Sequence, residues 1–431
     1  MTLEQILKHY TVEIFKEVFG VAIAEETVTI NLTKKEHQGD YTIVVFPLIK
    51  FSKKNPEQTA EILGNQLIAK TNIVESFNVI KGFLNLSFSH SYWLNRLQQI
   101  SHNKLYGTFP ANNRKVVLEY CGPNTNKPLH IGHVRNMLLG FSVSEILKAN
   151  GYDVTKVNIY NDRGINISKS MVSYLRYGNN STPQTSGTKG DHFVGDWYVK
   201  FNEVAKAEVK NIPNPPVEFD EAQKLTPIFQ EAQAMVLKWE AHDAGIIALW
   251  KKMNAWVYEG FHETFNLLGV DFQKDYYESE TYKLGKDIIN EGLKKNIFKK
   301  RADGAIIVDL TPDGLDEKVL LRSDGTSVYI TQDLGTAQLR HEEFNMEKMI
   351  YVVANEQDYH FKVLKLALQK LGKQWADGIY HLSYALVESP TGRFKSREGK
   401  TADADDLIAE VLRIAEEKTK ELGKIEGFTE N

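Results

Sequence analysis

Between Lys115 and Tyr160 the chain follows a pattern that few folds accommodate. A short apolar run, Val116-Val117-Leu118-Glu119-Tyr120, leads into the breaker-rich stretch Gly122-Pro123-Asn124-Thr125-Asn126-Lys127-Pro128. A helical period then opens near Gly132, with Met137, Leu138, Phe141, Ile146 and Leu147 on its apolar side, until Gly151 stops it. Val154 to Tyr160 reads as a second strand. Strand, helix and strand of these lengths predict a right-handed parallel crossover, because a right-twisted strand feeding a helix packs back onto its sheet only in that sense. The expected fold class is therefore α/β, built on a parallel sheet.

The rest of the chain arranges itself around this unit. Residues 1–110 read as a small α+β domain. Helical periodicity runs from Leu3 to Phe19, strand-like stretches at 28–32 and 41–46 follow, a helix starts near Pro56, and paired strands flank Gly82. Tyr106 to Arg114 is polar enough to be a linker. The domain built on it spans 111–404. Within it Gly178 to Gly190 reads as a flexible loop and Ile212 to Pro216 as a second breaker. The period from Val217 to Leu268 is helical, with Trp239, Trp250 and Trp256 as packing residues. A helical insertion of about 175–265 is expected on this basis. The α/β pattern is expected to resume at Ile306-Ile307-Val308 and again at 349–353. Residues 405–431 read as the start of a helical segment.

Bulk properties narrow the function. The formal net charge of -4 over 431 residues gives no global field for coating nucleic acid. The single cysteine, Cys121, rules out a disulfide framework and a cysteine zinc cage within one chain. The amphipathic N-terminus is not a signal peptide, and no run approaches a membrane span, so a cytosolic (cytoplasmic) protein with no membrane partner is expected.

Chemistry concentrates at Lys127-Pro128-Leu129-His130-Ile131-Gly132-His133. This peptide sits where a parallel strand hands over to a helix, the place where open α/β sheets bind ligands. The helix start offers N–H groups and a positive dipole end to phosphate. Gly132 lets a base or sugar approach the backbone. His130 and His133 can donate to phosphate oxygens and stabilise charge in a transition state. Lys127 adds a cation at the same mouth. Two histidines three apart also fit a surface helix start or a metal pair, and the strand-loop-helix context decides against both. No G-x-G-x-x-G, G-x-x-x-x-G-K-[ST] or H-E-x-x-H occurs.

The block His130-Ile131-Gly132-His133 resembles the HIGH signature of class I aminoacyl-tRNA synthetases, and Gly122 to Pro128 resembles the arginyl version. The resemblance implies a Rossmann-like catalytic domain. It implies a late KMSKS loop too, matched by Gly392-Arg393-Phe394-Lys395-Ser396-Arg397-Glu398-Gly399-Lys400, in which the usual second lysine falls on Ser396. Lys127 and Lys395 are the two candidates to supply that charge. Lys127, His130 and His133 are then catalytic, with Gly132, Lys395, Ser396 and Arg397 also binding ATP. For the amino acid the resemblance places Tyr329, Asp333 and Glu278 around a guanidinium, and Glu119, Asn124, His133 and Gln357 as further ligands, Glu119 and Asn124 near the α-amino group. A carboxylate fork suits a guanidinium better than an ammonium. If Tyr329 to Asp333 is helical, its ends share a face.

The same resemblance implies an arginine–tRNA ligase whose substrates are L-arginine, ATP and tRNA(Arg). Mg2+ would travel on the triphosphate, with no protein-held metal, and the chain would be a monomer. The family continues into an anticodon-binding domain, so that domain is expected to be absent here, leaving the fragment weakly active or inactive. Two rival readings are another class I synthetase or related nucleotidyltransferase, and a non-catalytic RNA-binding paralogue. The basic residues Lys283, Lys286, Lys294, Lys295, Lys299, Lys300 and Arg301 read first as a solvated face and second as a contact for an acceptor-stem backbone.

Overall fold

The protein is described by a computed structural model covering residues 2–387 and 403–422. It divides into two compact units, 1–107 and 108–431.

In the first unit a four-stranded antiparallel sheet has the order β1-β2-β4-β3, from β1 (Thr29–Leu32), β2 (Tyr41–Val44), β3 (Val74–Ile80) and β4 (Phe83–Phe88). Helices Leu3–Val18 and Pro56–Lys70 supply Leu7, Ile14, Phe15, Leu63 and Leu67 to its core, against Ile43, Leu84 and Leu86. Both helices start on side-chain caps. Thr2 and Gln5 form a capping box, and Asn55 accepts from Gln58 N–H just before Pro56.

The second unit is built on five parallel strands in the order β12-β11-β5-β6-β7. These are β5 (Lys115–Glu119), β6 (Asp153–Tyr160), β7 (Lys274–Tyr277), β11 (Lys348–Ala354) and β12 (Ile379–Tyr384), while β8 (Phe298–Lys300), β9 (Ile306–Asp309) and β10 (Glu317–Leu321) form a separate antiparallel sheet. Strand side chains alternate between faces, and each face has its own core. Val116, Leu118, Ile350 and Val352 pack on one side, and Val117, Val157, Met349 and Tyr351 on the other. Helix Ile131–Ala149 crosses close over β5 because Gly140 lacks a side chain: a Cβ there would lie 2.4 Å from Tyr120 Cγ.

Several expectations need correction. Ile306-Ile307-Val308 is a strand, but it pairs antiparallel in the small sheet rather than extending the parallel one. The edge strands β7 and β12 add to the parallel sheet without any expectation from sequence. Leu138 and Ile146 are 45% and 61% exposed, because the helix buries only a narrow stripe through Val134, Met137 and Gly140. Gly178 to Gly190 is not all loop: Thr182 caps a one-turn helix, Pro183–Ser186. Helices from Ile165 to Leu268 share one continuous core with the sheet, through Phe193, Phe201, Trp256 and Phe261. The basic stretch is split between helix Gly285–Lys294 and β8. Part of its charge is spent on Glu291, Asp303 and Asp309. No helix among the described residues is long and apolar enough to cross a membrane.

Candidate active site at the switch point of the parallel sheet

From β5 the chain passes to β6 on one side, while β11 lies on the other. Connections that leave in opposite directions open a crevice at the carboxyl ends of the strands. The loop into that crevice is sharply turned, with Cys121 at φ 78° and Gly122 at φ 61°. It is stitched to the end of β6: Asn161 N–H donates to Pro123 O at 2.9 Å, and Thr125 N–H donates to Asn161 O at 3.2 Å. Asn124, exposed, forms an isolated parallel bridge with Asn161. Burial pushes the Cys121 thiol up, so it is an inert packing group rather than a nucleophile.

Asn136, on the helix that starts at the histidines, ties three elements together. Its Oδ1 accepts from Cys121 N–H at 2.6 Å, and its Nδ2 donates to Val352 O at 2.5 Å and to Tyr384 Oη at 3.1 Å. It therefore pins this helix to the ends of β5, β11 and β12. Sequence reasoning missed it, although a polar residue on the stripe of Met137 and Gly140 was the available signal. Asn136→Ala leaves a buried N–H and a buried carbonyl unpaired, so a loss of ~2–4 kcal/mol is expected, read as a lower urea midpoint.

The two histidines form a reciprocal cap at the start of helix Ile131–Ala149. His130 Nδ1 accepts from Gly132 N–H at 3.1 Å, and His133 Nδ1 accepts from His130 N–H at 3.1 Å. Each ring that accepts at Nδ1 carries its proton on Nε2, which leaves Nε2–H as the donor. The rings lie 3.9 Å apart between centroids. Burial and the Lys127 ammonium bring the His130 pKa down to about 4. Burial, His130 and Lys127 hold His133 well below the usual range. Both rings are thus neutral donors near neutral pH.

This changes one expectation. The helix start does not offer all its N–H groups to a ligand. Gly132 N–H is taken by the His130 ring, and His133 N–H by His130 O at 2.7 Å. The donors presented are ring Nε2–H groups instead. Gly132 is required for a second reason as well: a Cβ there would lie 2.9 Å from His130 Cε1 and displace the ring.

Three carboxylates gather at the same end of the sheet. Glu119 ends β5, Glu278 follows β7, and Asp333 is the fifth residue of helix Tyr329–Phe344. The Asp333 charge acts on both of the others. Burial lifts the Glu278 pKa to about 7; Arg163 opposes this, while Asp162 and Asp333 add to it. Asp333 Oδ2 contacts His360 Nε2 at 2.6 Å. The residue after Glu278 is anchored by Asp162, which is 1% exposed and accepts from Ser279 N–H and Ser279 Oγ, each at 2.8 Å, and from Tyr258 Oη at 3.0 Å. Tyr329, at the first position of its helix, is 82% exposed, and Gln357 is exposed after β11. Lys395, Ser396 and Arg397 lie outside the described residues.

A cavity of about 230 Å³ opens beside this motif, lined by Lys127, His130, His192, Asp196 and Asp403 among others. Its far wall is the start of helix Ala404–Glu421, where Ala404 N–H donates to Leu129 O at 3.1 Å. Asp405 anchors that helix to Lys189 at 2.7 Å, Thr264 at 2.8 Å and His192 at 3.0 Å. Asp191, His192 and Asp405 bring ligand atoms within 4.8 Å of one another, but the Lys189 ammonium already supplies the compensating positive charge.

Comparison with known proteins identifies the family. Residues 96–428 match the family described as tRNA synthetases class I (R), catalytic domain, and residues 1–88 match the arginyl tRNA synthetase N terminal domain. Arginine–tRNA ligases of Amoebophilus asiaticus and Bacteroides thetaiotaomicron are each 50% identical, over all of this chain and 72% of their own. The arginyl-tRNA synthetase structure of Thermus thermophilus superposes with a TM-score of 0.63 at 21% identity, covering all of this chain and 72% of that one, which bears on the fold alone. With its switch-point histidines, its parallel sheet and half-identical relatives along its whole length, the chain belongs to the arginyl-tRNA synthetase family.

Proposed function

We propose that the chain activates L-arginine with ATP and passes the arginyl group to the 2′-hydroxyl of tRNA(Arg). The observation that carries this reading is the convergence of Glu119, Glu278 and Asp333 at one sheet end with two neutral imidazoles on the adjoining helix start. Burial and the Asp333 charge raise the pKa of both Glu119 and Glu278, and a bound cation relieves that strain. Asp333, Glu278 and Tyr329 take the guanidinium; Glu119 and Asn124 take the α-amino group, and His133 and Gln357 are further contacts to the arginine.

In the first step an oxygen of the arginine carboxylate attacks the α-phosphorus of ATP. The bond from that phosphorus to its bridging oxygen breaks, and pyrophosphate leaves with the electron pair. His130 and His133 donate Nε2–H to the phosphate oxygens as charge grows, and Lys127 adds a cation. Gly132 keeps the His130 ring in place. Mg2+ arrives with the triphosphate and screens its charge. Lys395, Ser396 and Arg397 complete the ATP contacts in this proposal. In the second step the ribose 2′-hydroxyl oxygen attacks the arginyl carbonyl, and AMP leaves. No protein nucleophile is required; positioning and charge stabilisation carry the rate. By its resemblance to the N-terminal domain of arginyl enzymes, residues 1–88, the N-terminal unit contacts the tRNA in this reading.

Pyrophosphate exchange with ATP, tRNA and each amino acid in turn tests the reading. Exchange dependent on arginine is the expected outcome. Exchange with another amino acid and none with arginine overturns it.

A further inference from the structure

We propose that Arg340 is a positioning residue for the amino-acid substrate: it occupies one oxygen of Glu119 and leaves the other to accept the substrate's α-ammonium group. This rests on the reading above, in which Glu119 meets that group.

Arg340 lies on helix Tyr329–Phe344, seven residues after Asp333, and is fully buried. Its Nη2 pairs with Glu119 Oε2, whereas the Glu119 side chain keeps 13% exposure. The guanidinium lies over the Tyr276 ring at 4.6 Å and near the Tyr351 ring at 5.9 Å. Tyr276 Oη in turn bonds Glu343 on the same helix. Enclosed on these sides, Arg340 cannot reach substrate and acts only through Glu119.

The pairing matters in two ways. Burial pushes the Glu119 carboxyl up and Asp333 adds to the push; Arg340 is the charge that opposes both. Without it Glu119 is driven toward a neutral acid that no longer attracts an ammonium. The pairing also divides the acids by geometry. A guanidinium fork wants both oxygens of a carboxylate, and Glu119 has only one to offer, which suits an ammonium. Glu278 and the Asp333 oxygen that His360 does not hold are left for the guanidinium, so the protein's own arginine helps fix which way round the substrate arginine lies.

The test is arginine affinity by calorimetry for Arg340→Met, Arg340→Lys, Glu119→Gln and the two double variants with Glu119→Gln. A second ligand, 5-guanidinopentanoate, carries the guanidinium and carboxylate but no α-amino group. Arg340→Met is expected to weaken arginine by ~30-fold, the loss of one charge-assisted contact, and Arg340→Lys by ~5-fold. Neither should change the affinity for 5-guanidinopentanoate by more than about twofold, and neither should add to Glu119→Gln. Equal weakening of both ligands, or full additivity with Glu119→Gln, overturns the proposal and leaves Arg340 a structural ion-pair residue. If Arg340→Met does not fold, Arg340→Lys decides by the same two comparisons. Failure of the parent reading looks different: the unsubstituted protein then binds neither ligand.

Discussion

His133→Ala is expected to lower kcat for arginine-dependent pyrophosphate exchange by ~10²–10³-fold, with the KM for arginine changed far less. The size reflects the ring's state. His133 Nδ1 accepts His130 N–H, so the Nε2 proton is fixed as a donor without any need for the ring to be charged. A preorganised donor contributes most where charge develops, and the α-phosphate gains charge only as the arginine oxygen attacks. Part of any alanine effect is structural, because the substitution also removes the acceptor that caps the helix, a cost of ~1 kcal/mol. His133→Asn separates the two, since its amide keeps both an acceptor and a donor; it should recover stability and about tenfold of the lost rate. The pH profile gives an independent check. Because His130 titrates at about 4 and His133 well below its usual range, neither ring changes charge between pH 6 and 9. A rate that falls with a pKa near 6.5 in the unsubstituted protein, and loses that pKa in His133→Ala, would show a charged imidazole at work instead. A loss under threefold would remove His133 from the chemistry altogether.

How much of this site could be read in the sequence depends on the range of the interaction involved. The histidine peptide, the turn before it and the flanking strands are local, and their breakers and periods are visible in one stretch from Lys115 to Tyr160. The carboxylates are implied only by the family resemblance, since nothing local marks Glu278 or Asp333 as neighbours. What escaped was tertiary. Lys274–Tyr277 and Ile379–Tyr384 become edge strands by pairing with β6 and β11, and edges four to six residues long carry little pattern of their own. Arg340 is an arginine in a helix until the fold brings Glu119 beneath it, although its seven-residue spacing from Asp333 put both on one helical face. The ring tautomers required geometry: periodicity pointed to a helix beginning with free N–H groups, and the structure gives those groups to the histidines.

Asp333→Ala is expected to weaken arginine by at least ~100-fold, because the guanidinium loses a charged acceptor and the donors it met go unpaired in a partly desolvated site. Glu278 makes a second, pH-dependent contribution whose sign can be worked out. Burial and two neighbouring acids raise its pKa to about 7 in the unliganded protein, so below that pH the carboxyl is largely protonated. A bound guanidinium favours the ionised form and lowers the pKa in the complex. Arginine must then displace a proton whenever pH lies below about 7, and its affinity falls as pH falls through that value, by up to tenfold per unit until the pKa of the complex is reached. Above pH 8 Glu278 is already ionised and affinity levels off. Two measurements check this: the arginine dissociation constant between pH 5.5 and 8.5, and the heat of binding in buffers of different ionisation enthalpy at pH 6.5, where net proton release is expected. Glu278→Gln should bind arginine more weakly at pH 8, flatten the profile and abolish the proton release. Asp333→Ala should lower the Glu278 pKa by removing a repelling charge, so its remaining pH dependence moves to lower pH. A profile that stays the same in Glu278→Gln would assign the titration to another group and take Glu278 out of the guanidinium pocket.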